Sequence, residues 1–130
     1  MYYFAYGTDL SKKEMKARCP ESQPKFIATL PNHKLFFAGW SRQWRGGVAS
    51  IQSSRGDKVL GAIYEVTEAD LRRLDKYQAG YQRQKVTVFN EDSEPVEAVT
   101  YLKAARDQAA PPGPAYLALM QQGYRDWNLV

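Results

Sequence analysis

The chain has 130 residues, a formal net charge of +4, one cysteine and one histidine, and apolar residues make up 44% of it. These values predict one domain over residues 1–130, with enough apolar residues for a packed core. No apolar run approaches the roughly 20 residues of a membrane-spanning helix, and the N-terminus lacks the pattern of a signal peptide, so we expect a cytoplasmic protein. The cysteine and histidine counts exclude an internal disulfide and cysteine-based or histidine-rich metal sites.

In the first half of the chain, aromatic and β-branched segments alternate with turn residues. Residues 1–6 are predicted to form a strand that ends at Gly7. Ser11, with Glu14 three residues later, predicts the capping box of a short helix that ends at Arg18. Further strands are predicted at 25–30, 33–39, 48–52 and 59–66, separated by turns at 31–32, 44–47 and 55–57.

The second half of the chain predicts two helices around a hairpin. Thr67 is typical of an N-cap, with Asp70 at the third helical position, and the helix is expected to end near Tyr77. Residues 85–89 and 95–102 predict a hairpin around 90–94. Residues 108–114 predict a rigid turn before an amphipathic helix. The apolar stripe of that helix consists of Tyr116, Leu119, Met120, Tyr124 and Trp127.

About six strands and three short helices follow from these patterns. Because strands are adjacent in sequence at both ends of the chain, we expect an α+β fold with a mostly antiparallel sheet that is curled toward a barrel.

Three short segments have the residue types of a ligand site. In Tyr6–Leu10, a glycine after a strand and a following helix start favour a turn whose N–H groups hold an anion or a carboxylate; the alternative is an ordinary loop. The glycines of Trp44–Val48 permit close approach to a neighbour or a ligand, or form a flexible hairpin loop. Gln78 lies on the helical face of Leu71, so it either hydrogen-bonds a backbone group or faces a pocket.

Together these segments resemble the γ-glutamylcyclotransferase family, including its AIG2-like branch. The resemblance extends over nearly the whole chain, in order. It rests on FAYGTDL at 4–10, WRGGVASI at 44–51, GAIYEV at 61–66, LDKYQ at 74–78, Tyr81, YLKAAR at 101–106 and PPGPAYLALMQQG at 111–123.

The resemblance implies a small mixed β-barrel with flanking helices and no metal or organic cofactor. It implies an intramolecular aminolysis, in which the α-amine of a small γ-glutamyl substrate attacks its own γ-carbonyl and releases 5-oxoproline. We further expect a monomer or weak homodimer, with no nucleic-acid or membrane partner.

Residue by residue, the resemblance implies that the binding loop is Tyr6, Gly7, Thr8, Asp9 and Leu10, and that Tyr81 lies near the substrate. The family usually has serine and asparagine where this chain has Thr8 and Asp9, and the charge of Asp9 disfavours an anionic ligand group. The catalytic glutamate, the general acid/base, falls on Gln78. An amide is no base near neutral pH, and loss of a general base typically costs about 10²–10⁴ in rate.

Several explanations of Gln78 stay open. The chain is a non-catalytic binding module for a γ-glutamyl-like ligand, a glutamate-to-glutamine variant that traps a substrate, or an enzyme that uses Asp75 or Glu65 as its base. A different function, a basic nucleic-acid-binding barrel, predicts a shared basic face. That face would hold Lys12, Lys13, Lys16, Arg18, Lys25 and Lys34. Cys19 shows no sign of thiolate activation and is expected to be structural.

Overall fold

A computed structural model describes residues 1–103 and 108–129, so residues 104–106 of the YLKAAR segment lie outside the described residues. None of the described helices is long and apolar enough to cross a membrane. The elements in chain order are β1 (Tyr2–Ala5), a 3₁₀ helix (Thr8–Leu10), α1 (Lys12–Arg18), β2 (Gln23–Ser41), β3 (Gly46–Glu65), α2 (Glu68–Tyr77), β4 (Tyr81–Phe89), β5 (Pro95–Lys103) and α3 (Pro114–Asp126).

The strands close into a barrel in the order β1-β3-β2-β4-β5. Neighbouring strands pair antiparallel, except that β5 pairs parallel with β1, where Tyr3 lies opposite Val99. The mixed, mostly antiparallel barrel with flanking helices is therefore confirmed. The predicted hairpin is also present, although β4 begins at Tyr81, four residues before the predicted start.

The predicted strand breaks at 31–32 and 55–57 are wrong. The two segments face each other across β2 and β3, where the register shifts. Asn32 has a φ of +58°, and its side-chain oxygen accepts a hydrogen bond from the Gly56 N–H at 3.2 Å. Pairing resumes on both sides, so these turn residues form a bulge inside one long hairpin. The four predicted strands are therefore two.

The helix starts have the predicted caps. Ser11 Oγ accepts from the Glu14 N–H at 3.3 Å, and Thr67 and Asp70 form a reciprocal capping box. The Glu14 carboxylate, predicted to complete a capping box with Ser11, lies instead 3.4 Å from Arg18. The ion pair therefore directs the Glu14 side chain along α1, toward the helix end.

Helix α3 packs against the turn that follows β1. Its predicted stripe faces the core: Tyr116, Met120 and Trp127 are buried. Trp127 Nε1 donates to the Leu10 carbonyl oxygen at 2.9 Å. A Cβ on Gly123 would lie 2.7 Å from the Leu10 carbonyl carbon, closer than real Cβ contacts. The position of the turn therefore depends on a helix more than a hundred residues later in the chain.

We expect Gly123→Ala to lower the free energy of unfolding by about 1–3 kcal/mol, because the added methyl group overpacks the contact with Leu10. Chemical denaturation measures this difference. Gln121→Ala, on the exposed face of the same helix, is the control and should stay within about 0.5 kcal/mol of the parent. Equal stability of both variants would show that the close contact is not a constraint.

Candidate active site

A cavity of about 340 Å³ opens where the turn after β1, the β2–β3 hairpin and the end of α2 meet. Leu10 does not line it: its side chain is fully buried beneath the turn and packs against α3. The structure brings the other predicted site residues together around the cavity: Tyr6, Gly7, Thr8, Asp9, Gln78 and Tyr81.

Asp9 lines this cavity, and only 1% of it is exposed. Its Oδ1 accepts a short hydrogen bond from Arg18 Nη1. Its Oδ2 accepts from the Tyr3 hydroxyl at 2.6 Å and from Gln78 Nε2 at 3.2 Å. The carboxylate is the acceptor in every one of these contacts, as expected of an ionised group.

Arg18 compensates the charge of Asp9. It stands at the end of α1, 9% exposed, and also donates to Thr8 Oγ1 at 3.2 Å. Burial lowers the pKa of Arg18, but its negative neighbours, Asp9 first and Glu14 second, together raise the pKa overall. The ion pair with Arg18 offsets the charge of Asp9, which was expected to disfavour an anionic ligand group.

The sequence did not predict that Arg18 pairs with Asp9 in the site. It placed Arg18 only on the basic face of a nucleic-acid binder. Asp9 and Arg18 are nine residues apart and lie in different elements. An arginine at the end of a short helix is ordinary, because a cation there favours the helix dipole. The only usable signal was an acidic residue in a predicted binding loop, which requires a cation once it is buried.

Gln78 is the residue directly after α2 and forms its C-cap. Its side chain is half-buried, lines the cavity and donates to Asp9, so of the two interpretations the structure shows the one that faces a pocket. The end of α2 is held against the barrel by Tyr101. The Tyr101 hydroxyl contacts Asp75 Oδ1 at 2.6 Å and the Leu71 carbonyl oxygen at 3.1 Å.

The two other carboxylates considered as a base do not line the cavity. Asp75 pairs with Arg83 at 2.7 Å, and hydrogen bonding to Arg83 lowers the pKa of Asp75. Glu65 lies on β3, 3.5 Å from Lys25 on β2. Neither group replaces the side chain at position 78.

Tyrosines form the floor of the cavity around the backbone of Ala49. The Tyr81 hydroxyl donates to the Ala49 carbonyl oxygen at 2.5 Å, and the Ala49 N–H donates to Tyr116 Oη at 2.9 Å. Tyr6 donates to the carbonyl oxygen of Tyr101 at 2.5 Å. Burial raises the pKa of Tyr6, Tyr81 and Tyr116, so these hydroxyls stay neutral and act as fixed dipoles.

The paired glycines of the β2–β3 hairpin permit close approach to a neighbouring segment of the chain. The Gly47 N–H donates to the Pro111 carbonyl oxygen at 2.9 Å, and a Cβ on Gly46 would lie 2.8 Å from that oxygen. The ring of Trp44 packs edge-on against Tyr116, with centroids 5.4 Å apart. The predicted turn segment 108–114 therefore supports this wall of the cavity.

The basic face that a nucleic-acid binder requires is incomplete. Arg18 is buried and paired with Asp9. Lys12 Nζ lies 4.4 Å from the centre of the Trp127 ring, and Lys25 pairs with Glu65. Three of the six predicted basic residues therefore have partners within the chain, and one of the three is buried, so the structure does not favour this function.

Cys19 is buried, and its thiol lies 3.6 Å from the Asp70 carbonyl oxygen. Burial raises the pKa of Cys19 to about 12, so the group is a thiol at neutral pH. This burial agrees with the expected structural role. In the part of the chain that the structure describes, no group of three histidine, cysteine, aspartate or glutamate side chains is arranged to hold a metal ion.

The sequence profile of the family described as gamma-glutamyl cyclotransferase, AIG2-like, matches residues 3–127. The chain belongs to this family. Gamma-glutamylcyclotransferases of Bos taurus and Homo sapiens are each 29% identical to it over 135 residues, which cover 98% of this chain and 71% of the relative. A solved gamma-glutamyl cyclotransferase structure, also 29% identical, has a TM-score of 0.94 and covers 98% of this chain and 80% of its own. The resemblance inferred from the motifs is confirmed.

In this AIG2-like chain, we expect Arg18→Met to lower the free energy of unfolding by about 3–5 kcal/mol, because it leaves the buried Asp9 without its cation. Chemical denaturation at constant salt measures the loss. Lys25→Met, which breaks the half-exposed pair with Glu65, is the matched control and should cost at most about 1 kcal/mol. Similar losses in the two variants would contradict a special role for the buried pair.

Proposed function

We propose that this chain binds the γ-glutamyl group of a small amine or amino acid in the cavity beside Asp9. The turn at Thr8–Leu10 supports this proposal, because the first N–H groups of a helix have no partner inside it. Such groups suit the carboxylate of a glutamyl moiety. Arg18 compensates the charge of Asp9, and burial keeps the tyrosines of the cavity neutral.

The proposed reaction is the one that the family name describes. The α-nitrogen of the ligand forms a bond to its γ-carbonyl carbon, and the bond to the leaving amine breaks. The α-ammonium loses two protons as its nitrogen becomes the N–H of the ring. Both protons end on the leaving nitrogen, so 5-oxoproline and a protonated amine are released. A proton acceptor beside the α-nitrogen is needed, since an ammonium group has no lone pair for attack.

Position 78 carries the proposal, because Gln78 faces the cavity with its amide nitrogen on Asp9. Its carbonyl oxygen is then the acceptor for a ligand ammonium, but an amide does not take the proton near neutral pH. We therefore propose tight positioning of the ligand with slow release of 5-oxoproline. The rate should lie about 10²–10⁴ below that of a site with a working base.

The same observation favours a second function, a non-catalytic binding module for a γ-glutamyl-like ligand. In that case Gln78 and its partner Asp9 help to bind the ligand and take no part in a reaction. The two functions share the ligand and the cavity, and they differ only in whether the amide bond of the ligand breaks.

Calorimetric titration with a γ-glutamyl amino acid tests the shared part. We expect the γ-glutamyl amino acid to bind. The isomer linked through the α-carboxyl group should bind at least about 10-fold more weakly, because its ammonium group lies at a different distance from the amide bond. Gln78→Leu should weaken binding about 10-fold or more, through loss of a hydrogen bond to a charged group. Gln121→Leu is the control and should bind like the parent.

Release of 5-oxoproline from the same ligand, followed by chromatography over hours, separates the two functions. If the parent releases 5-oxoproline slowly and Gln78→Leu releases none, the enzyme function is supported. Binding without release supports the binding module. No binding of either isomer would overturn both.

A further inference from the structure

The contact between Asp9 and Gln78 joins residues that are 69 positions apart. Asp9 presents two oxygens to different neighbours: Oδ1 faces Arg18, whereas Oδ2 faces Tyr3 and Gln78. Position 78 therefore meets the side of the carboxylate that points away from the guanidinium. Because an ionised carboxylate only accepts hydrogen bonds, any group at position 78 that contacts it must be a donor.

We propose that Asp9 is a positioning residue that determines how position 78 works: it turns the Gln78 amide so that its oxygen serves the ligand, and it keeps a glutamate placed at position 78 protonated near neutral pH. The first statement, on the orientation of the Gln78 amide toward the ligand, rests on the proposed function. The second statement, on the protonation of a glutamate placed at position 78, follows from the charges of the protein alone.

The physical reason is repulsion between like charges. A glutamate at position 78 would place a second carboxyl group where the amide nitrogen now lies, 3.2 Å from Asp9 Oδ2. Two carboxylates at this separation share one proton, and the pKa of one of them is strongly raised. Little solvent is present to screen the repulsion, because Asp9 is 1% exposed.

The other charged groups around the pair do not remove this repulsion. From α1, Arg18 already pairs with Asp9, and Glu14 adds a further negative charge beside Arg18. From β5, Lys103 lines the cavity, but its Nζ lies 5.6 Å from the centre of the Tyr81 ring. Tyr3 and Tyr101 stay neutral, since burial raises the pKa of both.

Gln78→Glu alone is therefore not expected to create a working base at neutral pH. The Asp9→Asn/Gln78→Glu double variant exchanges the amide and the carboxylate and keeps one negative charge in the pair. In that variant an amide nitrogen at position 9 can donate to the carboxylate at position 78. The new carboxylate should then ionise at its ordinary pH.

Thermal unfolding between pH 4 and pH 9 tests the shared proton without any ligand. In Gln78→Glu, the folded-state pKa of the new carboxyl group is raised above its unfolded value. Between these two pKa values the folded state binds more protons than the unfolded state. Stability relative to the parent must therefore fall as the pH rises from the unfolded-state pKa to the folded-state pKa. Gln121→Glu adds the same group on the exposed face of α3, and its Tm difference from the parent should change little with pH.

The pH profile of 5-oxoproline release tests the positioning role. The profile of Gln78→Glu should rise at higher pH than that of the double variant, with release at least about 10-fold slower at pH 6 and similar at alkaline pH. A merely structural role of Asp9 would change the amplitude of both profiles without separating their midpoints.

Parallel Tm profiles of Gln78→Glu and Gln121→Glu would overturn the inference. So would coincident activity profiles of the single and double variants. If the Tm profile falls as expected but no variant binds or turns over a γ-glutamyl compound, the coupling stands and the proposed function fails. If the double variant does not fold, because Arg18 loses its partner, the Tm profile of the single variant decides.

Discussion

The buried ion pair of Asp9 and Arg18 is the interaction on which the candidate site depends. Moving either charge out of water costs several kcal/mol, and the cost is recovered only when the pair is close and its remaining hydrogen-bonding groups are satisfied. Tyr3, Thr8 and Gln78 supply such hydrogen bonds, whereas the buried Nε of Arg18 has no partner among the described residues. The pair thus links the turn after β1 to the end of α1, and through Gln78 to the end of α2.

Packing below the turn completes this arrangement. Leu10 is enclosed between the barrel and α3, where Gly123 allows close approach and Trp127 caps the Leu10 carbonyl oxygen. The ion pair above the turn and the close packing below it hold the turn in one position. A binding site that is already formed loses less entropy when a small ligand binds.

The proposed chemistry of the site depends on two side chains that are in contact. The family resemblance implies an amide at position 9 and a carboxylate at position 78, whereas this chain has Asp9 and Gln78. The pair carries one negative charge in either arrangement, and the buried Arg18 provides one positive charge. Considered separately, the aspartate at position 9 is a conservative change, and the glutamine at position 78 is the loss of a base. Because the two groups are in contact, we expect them to act as one unit in which the position of the charge determines the proposed chemistry.

The sequence by itself determined what depends on neighbouring residues. The caps at Ser11 and Thr67, the stripe of α3 and the family motifs were all visible, because each arises from local spacing. Tertiary structure alone decided the rest. The turn residues around Asn32 and Gly56 became a bulge, since long-range pairing outweighs local turn preference. Likewise, Arg18 became the partner of Asp9, and Gln78 its donor, because closing the barrel and docking two helices brings them together, and no local pattern encodes a contact across 69 residues.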